Sequence, residues 1–254
     1  MMMGRFEDLV AEAEAAPVDG WDFSWLDGRA SEQRPSWRYA HTMGRRMARA
    51  TTALDLETGG GEVLGGVPRL ATRTAATESW PPNLARAAAR LRPRGVLVVA
   101  AADNTPLPFT GDTFDLVVSR HPVTTRWDEV SRVLTPGGVY FSQQVGPASV
   151  FELVEFFLGP QPAEVRHRRH PDRARAGAEA AGLQVLDLRM ETLHTEFRDV
   201  GAVIYFLRKV IWMVPGFTVD RYRPQLAALH DHIHTHGPFE AHTTRFLIEA
   251  RKPA

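Results

Sequence analysis

The sequence contains no cysteine. Disulfide bonds, thiolate metal sites, cysteine nucleophiles and cysteine-ligated iron–sulfur clusters are therefore excluded. It also lacks an excess of charge, because 30 basic residues balance 30 acidic ones. This balance gives no general reason to expect nucleic acid or an anionic membrane as a partner.

Long apolar runs are missing too. None approaches the roughly 20 residues that a membrane-spanning helix needs, and the first stretch, MMMGRFEDLVAEAEAAP, lacks the apolar centre of a secretory signal. We therefore expect a cytoplasmic protein with no membrane partner. A length of 254 residues allows one large domain or a core with a small cap, and no repeat or low-complexity linker divides the chain.

Short apolar segments alternate with helical ones over residues 51–146. Five strands are predicted in this region, and two more in QVLDLRMETLHTEF and in a closing segment at about residues 239–251. The first 50 residues read as helical and connecting segments. Alternating strands and helices predict a parallel sheet covered on both faces.

Three consecutive glycines follow the first of these strands in ALDLETGGGEV, which runs from Ala53 to Val63. A strand, a glycine turn and a helix start create a ligand site at the carboxyl end of a sheet. Two further strands end in acids, Glu78 and Asp103. A carboxylate at the second strand end can accept hydrogen bonds from ribose hydroxyls, and one at the third from an adenine amino group.

The glycine loop differs from those that bind phosphates. Glu62 brings an acid to the helix start, where it would repel a pyrophosphate, and no Walker lysine is present. A ligand with ribose and adenine but no phosphate fits better. S-adenosylmethionine is such a ligand, and its cationic groups suit nearby acids.

The ordered motifs ALDLETGGGE, TESW, AADNTPLPF, DTFDLVVSRH and SRVLTPGGVYF resemble those of class I S-adenosylmethionine-dependent methyltransferases, in particular methyltransferase type 11. The resemblance covers about residues 51–146. It implies an α/β, Rossmann-like, doubly wound and mostly parallel seven-stranded sheet with helices on both faces. It also implies one methyltransferase domain over residues 1–254, with a helical cap from residues 1–50 and about 150–223.

The resemblance also assigns the cofactor site. The candidate cofactor-binding residues are Arg38, Tyr39, Asp55, Glu57, Thr58, Gly59, Gly60, Gly61, Glu78, Ser79, Trp80, Ala102, Asp103, Asn104, Ser119 and Arg120. Glu57 departs from the family pattern, which has a glycine there. Either the backbone at Glu57 is open to any residue, or cofactor binding is weakened, or the carboxylate contacts the methionine amino group of the cofactor.

His121 follows the fourth predicted strand, where the family places its reaction-facing loop, and it is the candidate general base. The alternative is a loop histidine that only lines the pocket. The aromatic segment VIYFLRKVIWMVPGF supplies Tyr205 and Trp212 as candidate substrate-binding residues. Ordinary packing is the alternative for each.

Two further segments, one rich in histidine and one rich in arginine, give weaker evidence of a functional site. HDHIHTH has the i, i+4 spacing that zinc can use, but alternating histidines lie on different helix faces, so we predict no metal site. RHRRHPDRAR has five arginines and no interleaved aromatic residues, which favours a solvated connection over a phosphate-binding patch.

The sequence therefore predicts methyl transfer from S-adenosylmethionine to a small-molecule oxygen or nitrogen, with carbon left open. An Asn/Asp-Pro-Pro-aromatic signature for amino groups on bases is missing, since the fourth strand ends in SRHP. The alternatives are an RNA methyltransferase and a cofactor-binding module without turnover.

Overall fold

The computed structural model describes residues 5–102 and 105–254. It groups the chain into two compact units. The first, which we call the core unit, comprises residues 35–146, 169–191 and 245–254. The second unit comprises residues 5–34, 147–168 and 192–244. The core unit contains the predicted core at 51–146, while the single methyltransferase domain stays a prediction.

Over residues 51–146 the helices and strands follow each other in the predicted order. The prediction of a connection for the arginine-rich segment is wrong in part, because the helices Ala163–Arg166 and Pro171–Ala180 extend into it. The helices are α1 Phe6–Ala15, α2 Tyr39–Met47, α3 Glu62–Gly65, α4 Pro81–Leu91, α5 Trp127–Val133, α6 Phe151–Leu158, α7 Ala163–Arg166, α8 Pro171–Ala180, α9 Val200–Lys209 and α10 Val219–His236. The strands are β1 Ala30–Glu32, β2 Thr52–Leu56, β3 Arg73–Glu78, β4 Leu97–Ala100, β5 Phe114–Arg120, β6 Leu134–Val145, β7 Gln184–Phe197 and β8 Phe239–Arg251. Short 3-10 helices cover Ser24–Leu26 and Arg92–Arg94.

The strands form one sheet in the order β1-β7-β8-β6-β5-β2-β3-β4. β2 pairs in parallel with β3 and β5, β3 with β4, and β5 with β6. β8 runs antiparallel to β6, and β1 antiparallel to β7. The mostly parallel Rossmann-like sheet is confirmed.

The predicted strand number of seven is wrong, because the sheet has eight strands. All seven predicted strands are present, and the additional one is β1, where Ala30 pairs with Phe197. Its three residues, Ala-Ser-Glu, are too few to show an alternating apolar pattern. The strand exists through pairing with β7, a long-range contact that local sequence does not reveal.

Helices cover both faces of the sheet in the core unit. Neighbouring residues of a strand point to opposite faces. Ala53 of β2 packs in one buried cluster with Met43 of α2 and Leu91 of α4. The next residue, Leu54, packs in another cluster with residues of α5 and α8, including Val133 and Ala178. The prediction of two helical layers is confirmed for this unit.

The second unit has its own apolar core, which α1, α6, α9 and α10 build. α9 is the most buried of these helices, and its N-cap residue is Asp199, whose Oδ1 accepts a hydrogen bond of 2.8 Å from the Ala202 N–H. It ends at Lys209. Within residues 5–102 and 105–254, no helix has the length and apolar character to cross a membrane.

Candidate cofactor and active site

The carboxyl ends of β2 and β5 meet where the strand order of the sheet reverses. From β2 the chain continues through β3 to β4 on one side, then returns to β5 and β6 on the other. In open α/β sheets such a switch point leaves a crevice outside the strand ends, where ligands bind. The predicted glycine loop and the loop after Arg120 both lie at this edge.

The glycine loop is tight because its neighbours are close. Gly59 and Gly61 have φ values of +65° and +76°, which glycine adopts at no steric cost. A Cβ on Gly61 would lie 2.9 Å from the Leu91 side chain of α4. The loop is tied to the next strand, where the Thr77 carbonyl accepts a hydrogen bond of 2.9 Å from the Thr58 N–H.

Glu78 ends β3 and is 6% exposed. Its Oε2 accepts a hydrogen bond of 2.8 Å from the Gly59 N–H, and its Oε1 accepts one of 2.9 Å from the Trp80 N–H. Ribose hydroxyls are hydrogen-bond donors that a carboxylate at this strand end can accept from, as the sequence predicts. Glu78 thus fixes the glycine loop to the end of β3.

Glu57 lies in the left-handed region, with φ +52°. The position therefore does require the conformation that glycine adopts freely, and a glutamate holds it at a cost. Its N–H donates to the Thr77 Oγ1 at 3.3 Å. The residue lines the cleft described below, so the sequence keeps a carboxylate where a glycine would be less strained.

Asp55 is buried at the end of β2, and its Oδ2 accepts a hydrogen bond of 2.6 Å from the Thr58 hydroxyl. Burial raises the pKa of Asp55 from 3.8 to about 7; the Thr58 hydrogen bond opposes this and the Glu78 charge adds to it. A cationic ligand group near Asp55 would favour its ionised form.

Glu62 at the start of α3 is not an isolated charge, which corrects the reasoning from the sequence. Arg90 of α4 lies 2.9 Å from its carboxylate and also donates to the Gly60 carbonyl at 2.7 Å. Arg94 donates to the carbonyls of Gly65 and Val67, at 2.7 and 2.6 Å. Two arginines that the sequence analysis missed therefore hold the glycine loop and α3.

A cleft with about 440 Å³ of empty space, part of it open to solvent, lies at this edge of the core unit. Three predicted site residues line it: Glu57, Ala102 and Ser119. The lining residues that the sequence analysis did not single out are Leu56, Thr77, Ala101, Leu107, Pro122, Thr124, Thr125, Arg126, Glu129, Val130 and Tyr140.

Hydroxyl groups form a buried chain beneath this cleft. The Ser119 Oγ lies 2.7 Å from the Tyr140 hydroxyl and 2.9 Å from the Ser142 Oγ. Burial raises the pKa of Tyr140, so this phenol stays protonated. Ser119 and Ser142 are partners in the β5–β6 register, so an alignment of the two predicted strands could have found this pair.

His121 directly follows β5 and has φ +56°. Its N–H donates to the Gln143 carbonyl at 2.7 Å, and its Nε2 lies 2.9 Å from the Gln143 side-chain nitrogen. Burial lowers the pKa of His121 well below its usual range, and the charges of Arg120, Arg245 and Arg169 lower it further. The imidazole is therefore neutral at physiological pH.

Arg38 precedes α2, and Tyr39 is its first residue. Tyr39 is buried, its hydroxyl donates to the Ser119 carbonyl at 2.7 Å, and its ring stacks on Phe141 at 5.3 Å. Burial raises the pKa of Tyr39, chiefly by desolvation and then by the Asp55 charge. Arg38 is exposed, with φ +46°. Their contact with the cofactor carboxylate stays a prediction.

The other predicted cofactor residues lie near the strand ends. Ser79 and Trp80 are exposed between β3 and α4, and Arg120 is exposed at the end of β5. Asp103 and Asn104 lie outside the described residues.

The two predicted substrate-binding residues belong to the second unit. Tyr205 is 2% exposed; its ring stacks on Trp25 at 4.7 Å, and its hydroxyl donates to the Asp22 carbonyl at 3.2 Å. Trp212 is 51% exposed, with its ring 5.8 Å from that of Trp21. Trp212 is therefore the more accessible of the two side chains, and the substrate-binding role of both stays a prediction.

Comparisons with known proteins agree with this geometry. Residues 54–142 match a family model described as "Methyltransferase domain". No curated protein matches the chain.

Solved structures resemble most of the chain. The YcgJ protein of Bacillus subtilis is 17% identical with a TM-score of 0.62, and the match covers 86% of this chain and 99% of that one. A methyltransferase candidate from Bacillus halodurans C-125 is 19% identical with a TM-score of 0.59, covering 84% and 98%. An S-adenosylmethionine-dependent methyltransferase from Mesorhizobium loti is 16% identical with a TM-score of 0.51, covering 85% and 97%. At these identities the structural matches establish the fold.

Proposed function

We propose that the protein transfers a methyl group from S-adenosylmethionine to an oxygen or nitrogen of a small molecule. The match of residues 54–142 to a methyltransferase-domain model agrees with the class I family that the sequence predicts. The observation that carries the proposal is the hydrogen bond between Glu78 and the glycine loop. One buried carboxylate is anchored by the loop and by the start of α4, at the sheet's switch point.

The residues at this edge fit S-adenosylmethionine. Glu78 would accept the ribose hydroxyls, and the loop at Gly59–Gly61 brings backbone close to the ligand. Asp55 and Glu57 place two carboxylates where a cationic amino acid moiety would be favoured. No basic residue is present in the loop to hold a phosphate, and Arg90 is engaged with Gly60 and Glu62.

When bound, the cofactor supplies a methyl group on a sulfonium, ready for in-line displacement by a lone pair of the acceptor. The chain's own task is then to align the acceptor and exclude water. His121 sits on the loop that follows β5, next to Pro122 of the cleft wall. Its neutral imidazole can hydrogen-bond an acceptor, while the general-base role stays a prediction from the sequence.

Acceptor choice needs surfaces beyond the cofactor site, because that site is shared by enzymes with many substrates. We propose Trp212 as an aromatic contact for the acceptor, because its half-exposed ring stands beside that of Trp21 and the two form an apolar surface. An apolar or aromatic acceptor suits such a surface better than a sugar does.

Calorimetric titration with S-adenosylmethionine and with S-adenosylhomocysteine tests the proposal. We expect both to bind, and label from the cofactor methyl group to appear in a phenol or amine of an acceptor panel. Absence of binding at millimolar concentration would overturn every methyltransferase assignment. Binding of both ligands with no transfer to any small molecule or RNA would favour the module without turnover.

The RNA alternative depends on the arginine-rich segment. Part of its positive charge is paired with acidic side chains, because Arg166 forms an ion pair with Glu155 and Arg175 lies 3.8 Å from Glu179. We therefore expect RNA binding to be weak. Tight, salt-dependent RNA binding that disappears when Arg166, Arg168 and Arg169 are neutralised would favour an RNA substrate instead.

A further inference from the structure

The side chains of Trp37, Gln143 and His121 form a hydrogen-bonded series in the core unit. The Trp37 Nε1 lies 2.7 Å from the Gln143 Oε1. The Gln143 Nε2 lies 2.9 Å from the His121 Nε2. Trp37 and Gln143 are 6% and 4% exposed, so water does not compete readily for these bonds.

The direction of each bond follows from the chemistry of Trp37. An indole N–H can only donate, so the Gln143 atom that faces it must be the carbonyl oxygen. The amide nitrogen of Gln143 therefore faces His121. Since an amide nitrogen can only donate, the His121 Nε2 must be the acceptor, and the proton of the neutral ring is on Nδ1.

The backbone holds His121 in place for this contact. The His121 N–H donates to the Gln143 carbonyl at 2.7 Å, so main chain and side chain of Gln143 both contact the same residue. The charged groups that act on the imidazole are Arg120 of β5, Arg245 of β8 and Arg169. All three are cations and oppose a second proton on the ring.

We propose that Gln143 is a positioning residue that holds His121 as the neutral Nδ1–H tautomer. The Nε2 lone pair is then occupied by the Gln143 amide, which excludes Nε2 as the proton acceptor, and His121 offers a donor through Nδ1. Within the proposed function, on which this role rests, the imidazole would bind an oxygen of a ligand and would not remove the acceptor's proton. Methyl transfer by in-line displacement would then depend on the alignment of the acceptor with the methyl group, and not on proton removal by His121.

The test is the tautomer itself, read from the ¹⁵N shifts of the His121 ring nitrogens in the full-length protein at pH 7. Of the ten histidines, His121 is assigned by the signals that disappear in His121→Asn. We expect Nδ1 to carry the proton, with a preference on the order of tenfold, the scale of one buried neutral hydrogen bond. An Nε2–H tautomer or an imidazolium in the wild-type protein would overturn the proposal without any further variant.

Three substitutions then separate positioning from packing. Gln143→Leu should release the ring to a mixture of tautomers. Gln143→Glu should accept from Nε2–H, move the proton to Nε2 and raise the pKa of His121. Gln144→Glu is the matched control, because Gln144 donates to the Thr125 hydroxyl at 3.0 Å, and it should leave the His121 signals unchanged.

The same Nδ1–H tautomer in wild type and in both Gln143 variants would refute the positioning role, as would an equal shift in Gln144→Glu. These readouts do not depend on methyl transfer. Loss of cofactor binding in calorimetry would refute the proposed function while the tautomer result stands, so the two failures are distinguishable.

Discussion

Replacing Glu57 with glycine should stabilise the protein and weaken its cofactor binding at the same time. Glu57 has φ +52°, and a non-glycine residue in the left-handed region costs about 1–2 kcal/mol. Glycine removes that cost but loses about 0.5–1 kcal/mol through the greater freedom of the unfolded chain. The net gain is about 0.5–1 kcal/mol, or roughly a 1–4 °C rise in Tm for a chain of this size.

Cofactor affinity should move in the opposite direction. If the Glu57 carboxylate contacts the amino group of S-adenosylmethionine, its loss removes a charge-assisted hydrogen bond, and binding should weaken roughly tenfold. Differential scanning calorimetry without ligand gives the first quantity, and titration calorimetry gives the second. A higher Tm together with weaker cofactor binding would show that the strained backbone is kept because the Glu57 carboxylate contacts the cofactor.

Two control variants separate the effect of backbone strain from the effect of the carboxylate. Glu57→Gln keeps the strained backbone and removes the charge, so it should weaken binding without raising Tm. Ala148→Gly, at φ +48°, relieves a left-handed residue that has no carboxylate, and should raise Tm alone. A lower Tm for Glu57→Gly would refute the strain reasoning, and tighter cofactor binding would refute the contact.

Three further outcomes are expected. Glu78→Ala should weaken cofactor binding by about 2 kcal/mol or more, because the carboxylate both anchors Gly59 and receives the ribose; unchanged affinity in a titration would remove that assignment. The pKa of Asp55, raised from 3.8 to about 7, means that its stabilising contribution is complete below pH 3.8 and is lost as the pH rises through 7. The Tm should therefore fall as the pH rises from 3.8 to about 7 and level off above that, and a slope that persists in Asp55→Asn would contradict this cause. Arg90→Leu should lower cofactor affinity a few-fold by releasing the Gly60 carbonyl, and a titration equal to wild type would show that the loop needs no such support.

Much of the core unit could be predicted because its signals are local. Apolar strands end in glycines or acids, and parallel pairing brings those ends to one edge, so Asp55, Gly59 and Glu78 were expected near each other. Glu78 does contact Gly59, and Asp55 contacts Thr58, while their role in cofactor binding stays a prediction. The strand β1 was not predictable in this way, since its existence depends on its pairing with β7.

The contacts that refine the site depend on side chains brought together by packing. Arg90 is about 30 residues from the loop it holds, and nothing in the pattern of α4 distinguishes it from the other arginines there. The link from Trp37 to Gln143 spans 106 residues. Sequence spacing carries no information on such pairs, so the ring state of His121 could not be inferred before the structure.

Backbone strain marks both sides of the switch point. Glu57 follows β2 and His121 follows β5, the two strands that pair at the centre of the sheet, and both residues have positive φ values. Each is held there by its own N–H, which donates to Thr77 in one case and to Gln143 in the other. Strained residues persist where surrounding contacts over-determine them, and they cluster at functional sites. If the site needed only the left-handed backbone conformation at these positions, glycine would adopt it with less strain. A carboxylate and an imidazole at these two positions therefore argue that the side chains themselves are what the ligand meets.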